Sequence, residues 1–243
     1  MDAEAIQKIV EMVPPTVNAY GEGNRSLTYS NRTLIPVMEP MDSHEEVITL
    51  TGLVDLMKAK INGAGWDNLY VHVASPKRVS VSQLTCDKWG RRQTHILCTL
   101  PDYGKFQFGQ YMGQEAFIIG ANAFFDRENS ADLENILSIA AKLKAELVSE
   151  GEDNGLSQSV TLRKGPVLAE KATVKKIVRL RPYRTFREVE QPESAFIFRL
   201  KSNEGELPSL ALHVADAEMW QAAAMQSIKA YLVEHLEGLT VVA

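Results

Sequence analysis

Nine basic side chains fall between residues 163 and 187: Arg163, Lys164, Lys171, Lys175, Lys176, Arg179, Arg181, Arg184 and Arg187, against a single acid, Glu170. Arginine forks match the oxygens of phosphate and carboxylate, and lysines offer point charges to the same groups. Tyr183 and Phe186 lie among them, and an aromatic face beside arginines can stack on an unpaired base. Lys175, Lys176, Arg179, Arg181, Tyr183, Arg184, Phe186 and Arg187 are therefore the candidate contacts for a nucleic acid or another anionic partner. A second reading competes with this one. Glu188, Glu190 and Glu193 follow directly downstream, and pairing with them would make the same arginines an ordinary solvated sheet face. Pro182 and Pro192 then mark bends or a sheet edge.

Other chemistry finds little support. His44, His72, His95, His213 and His235 are scattered without the HxH, HxxxH or HExxH spacing of a metal site. The glycines of "GQYMGQEAFIIGAN" lack the GK[ST] of a phosphate loop, and GxSxG is absent. Cys86 and Cys98 lack ligand or redox spacing and read as buried thiols, although His95 on the same hairpin is a weak partner for a nucleophile. Asp126 with Glu128, and Glu45 with Glu46, stand in capping and loop text where the helix dipole favours acids. No catalytic residue, metal ligand or cofactor is assigned.

The background against which the basic run stands is acidic, with a net charge of −5 and a pI near 5.6. A surface built throughout for nucleic acid or anionic lipid is excluded, so any such binding is local. Two cysteines in 243 residues fit a reducing cytoplasm. The opening "MDAEAIQKIVEMVPP" has no signal-peptide pattern, and no apolar run approaches the roughly 20 residues of a membrane span. A cytoplasmic protein without membrane contact is expected.

The elements that must carry these residues follow from periodicity. Residues 2–13 form an amphipathic helix stopped by Pro14 and Pro15. The text from there to Ser43 has no periodic pattern and reads as an extended arm, lying on the body or on a neighbouring subunit. Leu50, Leu53, Val54, Met57 and Ile61 follow helical spacing, with Thr49 as cap and Gly63 as stop. "LYVHVAS", "RVSVSQL" and "THILCTL" alternate, and residues 78–100 form an antiparallel hairpin around the turn "DKWGRR", with Trp89 exposed beside arginines.

A buried helix is expected over 110–126, then another capped by Asn129 or Ser130 with Leu133, Ile136, Leu137, Ala140, Leu143 and Leu147 inward. "GEDNG" at 151–155 marks a boundary between lobes. Strands dominate beyond it. The strand from Val174 to Arg181 puts Val174, Lys176, Val178 and Leu180 on one face, and Lys175, Ile177, Arg179 and Arg181 on the other. A helix over 216–237, capped by Asp216, turns Trp220, Ala224, Ile228, Tyr231 and Leu232 inward, and a short strand closes the chain. The fold class is α+β, with a mixed, mainly antiparallel sheet, four to five helices and the extended N-terminal arm. Its parts are residues 1–44, a lobe over 45–150 and a strand-rich lobe over 156–243.

Five phrases taken together, "TLTGLVD", "VHVASPKRV", "EAFII", "DNGLSQSVTLRKG" and "RPYRTFREVEQPESAFIFRL", resemble the YfdQ-like family of prophage and tailed-phage proteins, a group of unknown function. The similarity runs over roughly residues 27–200. It implies phage origin, expression in the cytoplasm of an infected bacterium, and genes near recombination or replication functions, but it carries no catalytic residue across. The expected function is a non-enzymatic accessory protein that self-associates as a homo-oligomer and binds a macromolecular partner. Its alternatives are a nucleic-acid-binding recombination or replication accessory, a capsid-like scaffold, and a small-nucleotide-binding protein whose pocket would come from distant segments.

Overall fold

A computed structural model describes residues 2–12, 16–21, 25–30, 40–59, 66–143, 150–153, 157–164, 168–201 and 208–243. Three hydrophobic strands that alternate in sequence build the first sheet. In β4 (Leu69–Ser75), β5 (Arg78–Gln83) and β6 (Thr94–Thr99), the residues Leu69, Val71, Val73, Val79, Val81, Ile96 and Cys98 are buried. The three strands form an antiparallel meander, with Arg78 opposite Thr99, and two short strands extend it in parallel: β3 (Glu45–Val47) beside β6 and β13 (Thr240–Val242) beside β4.

Two helices, α2 (Leu50–Lys58) and α5 (Trp220–His235), bury Leu50, Leu53, Val54, Met57, Ala224, Ile228 and Leu232 beside that sheet. The Thr49 hydroxyl caps α2 by accepting the Gly52 N–H at 3.1 Å. Glycine is required there by space, since a Cβ at position 52 would stand 2.9 Å from that hydroxyl. The stop expected at Gly63 lies outside the described residues; α2 ends at Lys58.

The second core is aromatic. β10 (Ile177–Leu180), β11 (Ser194–Lys201) and β12 (Ser209–Val214) form a three-stranded antiparallel sheet. Its inner face presents Val178, Leu180, Phe196, Phe198, Leu200, Leu210 and Leu212 to α3 (Gln114–Phe124) and α4 (Leu133–Lys142). Phe106, Phe108, Phe117 and Phe125 fill the space between; Phe108 stacks on Phe196 at 5.0 Å between centroids, and Phe106 meets Phe117 edge-on at 5.7 Å. Two further ladders are antiparallel, one of β1 (Thr16–Gly21) and β2 (Arg25–Ser30), the other of β7 (Glu150–Asp153), β8 (Ser157–Lys164) and β9 (Leu168–Lys175). The chain begins with α1 (Ala3–Met12), and the fold is α+β, mainly antiparallel, with five helices among the described residues.

Several boundaries differ from the sequence reading. The helix expected over 110–126 is α3, which starts after Gly113 and stops where Phe125 turns extended at φ −121°. The helix expected to be capped by Asn129 or Ser130 starts at Leu133, because Ser130 and Asp132 spend their oxygens on the backbone of β10 and the residue after it instead. α5 begins at Trp220 and not at Asp216, since Ala217 and Glu218 occupy positive φ (47° and 62°) and block an earlier helical start. Between 14 and 43, where an arm was expected, residues 13–15, 22–24 and 31–39 lie outside the described residues, and residues 16–21 and 25–30 pair as the β1–β2 ribbon. The supposed break at 151–155 contains part of β7. Nor do the cores divide there: one combines residues 106–143 with 178–212, the other residues 50–98 with 186–241.

Candidate functional site

The pleat of β10 and the turn after it sort the eight candidate residues into three groups. Val178 and Leu180 point into the core, while Ile177 (59% exposed) and Arg179 point out. Register sets Ile177 opposite Ile197 and Ile197 opposite His213, so Arg199 and Lys201 of β11 share the outer face with Arg179. Tyr111 borders that face, its ring 6.2 Å from His213 and 5.9 Å from the Lys201 ammonium. Arg179 donates to Glu193 at 2.9 Å in an open pair whose side chains are 69% and 31% exposed. Lys175 turns to Asp132 at 3.0 Å, and the other oxygen of that carboxylate accepts the Arg179 N–H at 2.9 Å. Lys176 is half-buried at the bend between β9 and β10.

Arg199 and Lys201 are absent from the sequence-derived set. Their signal was present: "SAFIFRLK" alternates in burial from Ser194 to Leu200, which fixes Ala195, Ile197, Arg199 and Lys201 on the outer side.

The second group has turned inward. Phe186 is fully buried in the core of the five-stranded sheet and has no face left for a base, which corrects its assignment as a stacking residue. Arg181 pairs with Glu190 and donates to the Gln191 carbonyl at 3.1 Å. Arg184 lies between Trp220, 4.2 Å from its guanidinium, and Phe196 at 5.9 Å, and it donates to the Ser194 hydroxyl. Burial pulls its guanidinium down to about 10, against the opposing charges of Asp216 and Glu218, so it stays charged at neutral pH. Arg181 and Arg184 thus anchor the fold.

The segment is held in this shape by a buried amide. The Gln191 carbonyl oxygen accepts the N–H groups of Arg184 and Thr185, and its amide donates to the carbonyls of Phe186 and Val189. Thr185 donates its hydroxyl to the Pro76 carbonyl, tying the segment to the β4–β5 hairpin.

Tyr183 and Arg187 form the third group. The Arg187 guanidinium lies 3.7 Å from the Tyr183 ring centroid, and the pair forms a ridge between two depressions. One is an open cleft of about 850 Å³ lined by the 126–129 turn and residues 187–191. The other is a pocket of about 150 Å³ bordered by Lys77, Asp102 and Phe124. Of the three glutamates downstream, Glu193 and Glu190 pair with Arg179 and Arg181, whereas Glu188 accepts the Thr51 N–H in the first turn of α2 at 3.2 Å.

The thiols differ from each other. Cys98 is buried, donates to the Thr49 carbonyl at 3.3 Å, and is pushed up to about 12 by burial and then by the charge of Glu188. Cys86, read as buried from sequence, is exposed because it stands on the loop beyond β5. Trp89 is half-buried, under Lys88 at 5.5 Å, while the neighbouring Arg91 pairs with Asp87. Among the described residues no three His, Cys, Asp or Glu side chains stand close enough together to hold a metal ion. No helix among them is long and apolar enough to cross a membrane. Compared with known proteins, the chain matches no family model, no curated protein and no solved structure.

Proposed function

We propose that the chain is a non-enzymatic accessory protein that self-associates and binds a macromolecular partner, and that this partner is a nucleic acid held on the outer face of the three-stranded sheet. The observation that carries the reading is the register that sets Arg179, Arg199 and Lys201 on one face, with Tyr111 at its border, in a chain of net charge −5. Arg199 and Lys201, two residues apart on one strand face, are separated by about 6.8 Å, and Arg179, opposite Ala195, stands about 14 Å from Arg199, so each cation can meet a separate phosphate. The Arg179–Glu193 pair does not stand in the way. An ion pair this exposed is worth about 1 kcal/mol or less, so a phosphate can exchange with the carboxylate. Phage origin and a role beside recombination or replication are part of the same proposal, supported by the sequence phrases quoted above.

The test is fluorescence polarisation with a labelled single-stranded oligonucleotide between low and moderate salt. Binding should weaken steeply with salt, and the double substitution Arg179→Ala, Lys201→Ala should lower the log–log salt slope by about 1.4, since each cation withdrawn from a phosphate of a single strand removes about 0.7. No binding at low salt, or an unchanged slope in the double variant, removes the nucleic-acid reading. Self-association is tested by light scattering on the eluting protein, and a monomer at every concentration removes that part.

A further inference from the structure

The 150 Å³ pocket beside Tyr183 lies where four segments meet: the tip of the β4–β5 hairpin, the loop after β6, the end of α3, and the stretch from Tyr183 to Arg187. Backbone and side-chain bonds join these segments to one another. The Leu100 N–H donates to the Lys77 carbonyl at 2.9 Å, the Tyr183 N–H to the Phe124 carbonyl at 2.8 Å, and the Thr185 hydroxyl to the Pro76 carbonyl. Gly104 holds the loop after β6 in a left-handed conformation, φ +86°, beside the Phe124 ring. The walls are therefore in place before any ligand arrives, which lowers the ordering cost of binding.

Charge gives the pocket a preference. Lys77 and Arg187 supply two cations, and neither has a salt-bridge partner among the described residues. The one carboxylate of the lining, Asp102, already accepts the Gly104 N–H at 3.2 Å. Stacking on Tyr183 holds the Arg187 fork flat and leaves its N–H edge for an oxyanion.

The cleft across the ridge has the opposite character. Asp126, Glu128, Glu188 and Glu190 line it with Asn129, and the Arg127 charge is drawn off to Glu134 at 2.6 Å. Asp126 spends both oxygens on the Glu128 and Asn129 N–H groups and the Asn129 amide, so the open acceptors are Glu128 and the second oxygens of Glu188 and Glu190, and together these carboxylates repel a second anion. A drug-sized ligand needs about 300 Å³ or more, so the small pocket holds only the head of such a molecule and the cleft must take the rest.

We propose that this paired depression is a binding site for a small molecule with one terminal phosphate and a neutral, hydroxyl- and amino-rich body, the chemistry of a nucleoside monophosphate. The phosphate sits between Lys77 and Arg187, and the body passes over the ridge to the acceptors of the cleft. None of these residues is on the outer sheet face, so the site and the nucleic-acid surface succeed or fail separately.

The experiment is a titration of the full chain, followed by amide ¹H–¹⁵N spectra, with inorganic phosphate and with AMP. Both should move the amides of Lys77, Gly104 and Arg187, with AMP about tenfold tighter because its body adds hydrogen bonds in the cleft. Lys77→Ala and Arg187→Ala, both at exposed positions, should each weaken AMP about tenfold or more while leaving the remaining spectrum in place. Amides unmoved by either probe at millimolar concentration, or shifts that survive both substitutions, overturn the site. Phosphate and AMP of equal affinity would overturn the cleft's share in it and keep the free anion as the ligand.

Discussion

Replacing Gln191 with Leu keeps the side chain's bulk and removes all of its hydrogen bonds. Gln191 is 3% exposed, and its amide is the partner of four backbone groups: the N–H of Arg184 (3.0 Å) and Thr185 (3.3 Å), and the C=O of Phe186 (2.9 Å) and Val189 (3.3 Å). Leaving a buried polar group without a partner costs about 1–3 kcal/mol. The two whose residues are most deeply buried, Thr185 at 2% and Phe186 at 0%, decide the total, since water can reach the half-buried Arg184. At about 1.5 kcal/mol for each of the two, the loss is about 3 kcal/mol. In a chain of this length that lowers Tm by roughly 6–12 °C. Urea titration followed by circular dichroism measures it, and a loss below about 1 kcal/mol would refute the hub assigned to this amide. Gln191→Glu supplies a second check. It keeps an acceptor but loses both donors when ionised, and burial raises its carboxyl above the unfolded value. Its deficit should therefore shrink as pH falls through the folded-state pKa, where the protonated acid recovers one donor.

Asp132→Ala should cost about 1–3 kcal/mol in the same assay, because the Arg179 N–H loses its acceptor at the β10 edge, and Asp132→Asn should recover part of it; equal losses would argue against that bond. Thr49→Ala should destabilise by about 1 kcal/mol through loss of the α2 cap. Gly52→Ala should yield no gain in the parent, where the new Cβ crowds the Thr49 hydroxyl, but should stabilise by up to about 1 kcal/mol in the Thr49→Ala background; the same sign in both backgrounds contradicts the crowding. A disulfide-exchange reagent at pH 8 should find one fast thiol, Cys86, with Cys98 reacting only in denaturant; two fast equivalents would contradict the burial and raised thiol of Cys98.

The fold was legible where burial follows a short period. Alternation in "LYVHVAS" and "SAFIFRLK" marks the inward residues, and the sorting of Ile177 and Arg179 from Val178 and Leu180 follows from the same rule. Helix starts were harder to read. Asn129 and Ser130 look like local caps, yet Ser130 serves the Arg181 N–H and Asp132 the Arg179 N–H, partners 51 and 47 residues away. Local capping rules carry no information about such bonds. At the candidate site, charge composition flagged the basic region, but Pro182 ends the strand alternation, and from there the direction of each side chain depends on Gln191 and on the Pro76 carbonyl. Phe186 therefore looked like a surface aromatic. The pocket beside Tyr183 draws on segments around residues 77, 102, 124 and 183, and no periodicity within one segment announces it.

The way the two cores interleave bears on how the chain is made. Thr185 closes on Pro76 across 109 positions, Glu188 on Thr51 across 137, and the Tyr231 hydroxyl meets that of Thr51 across 180. During synthesis α2 is already available to the meander around Val71 and Val81, but the part of the apolar side that α5 covers stays open until the polypeptide through Leu232 has left the ribosome. Translation pauses between β6 and α5 should then promote aggregation, and holdase chaperones should act on the nascent chain in that interval.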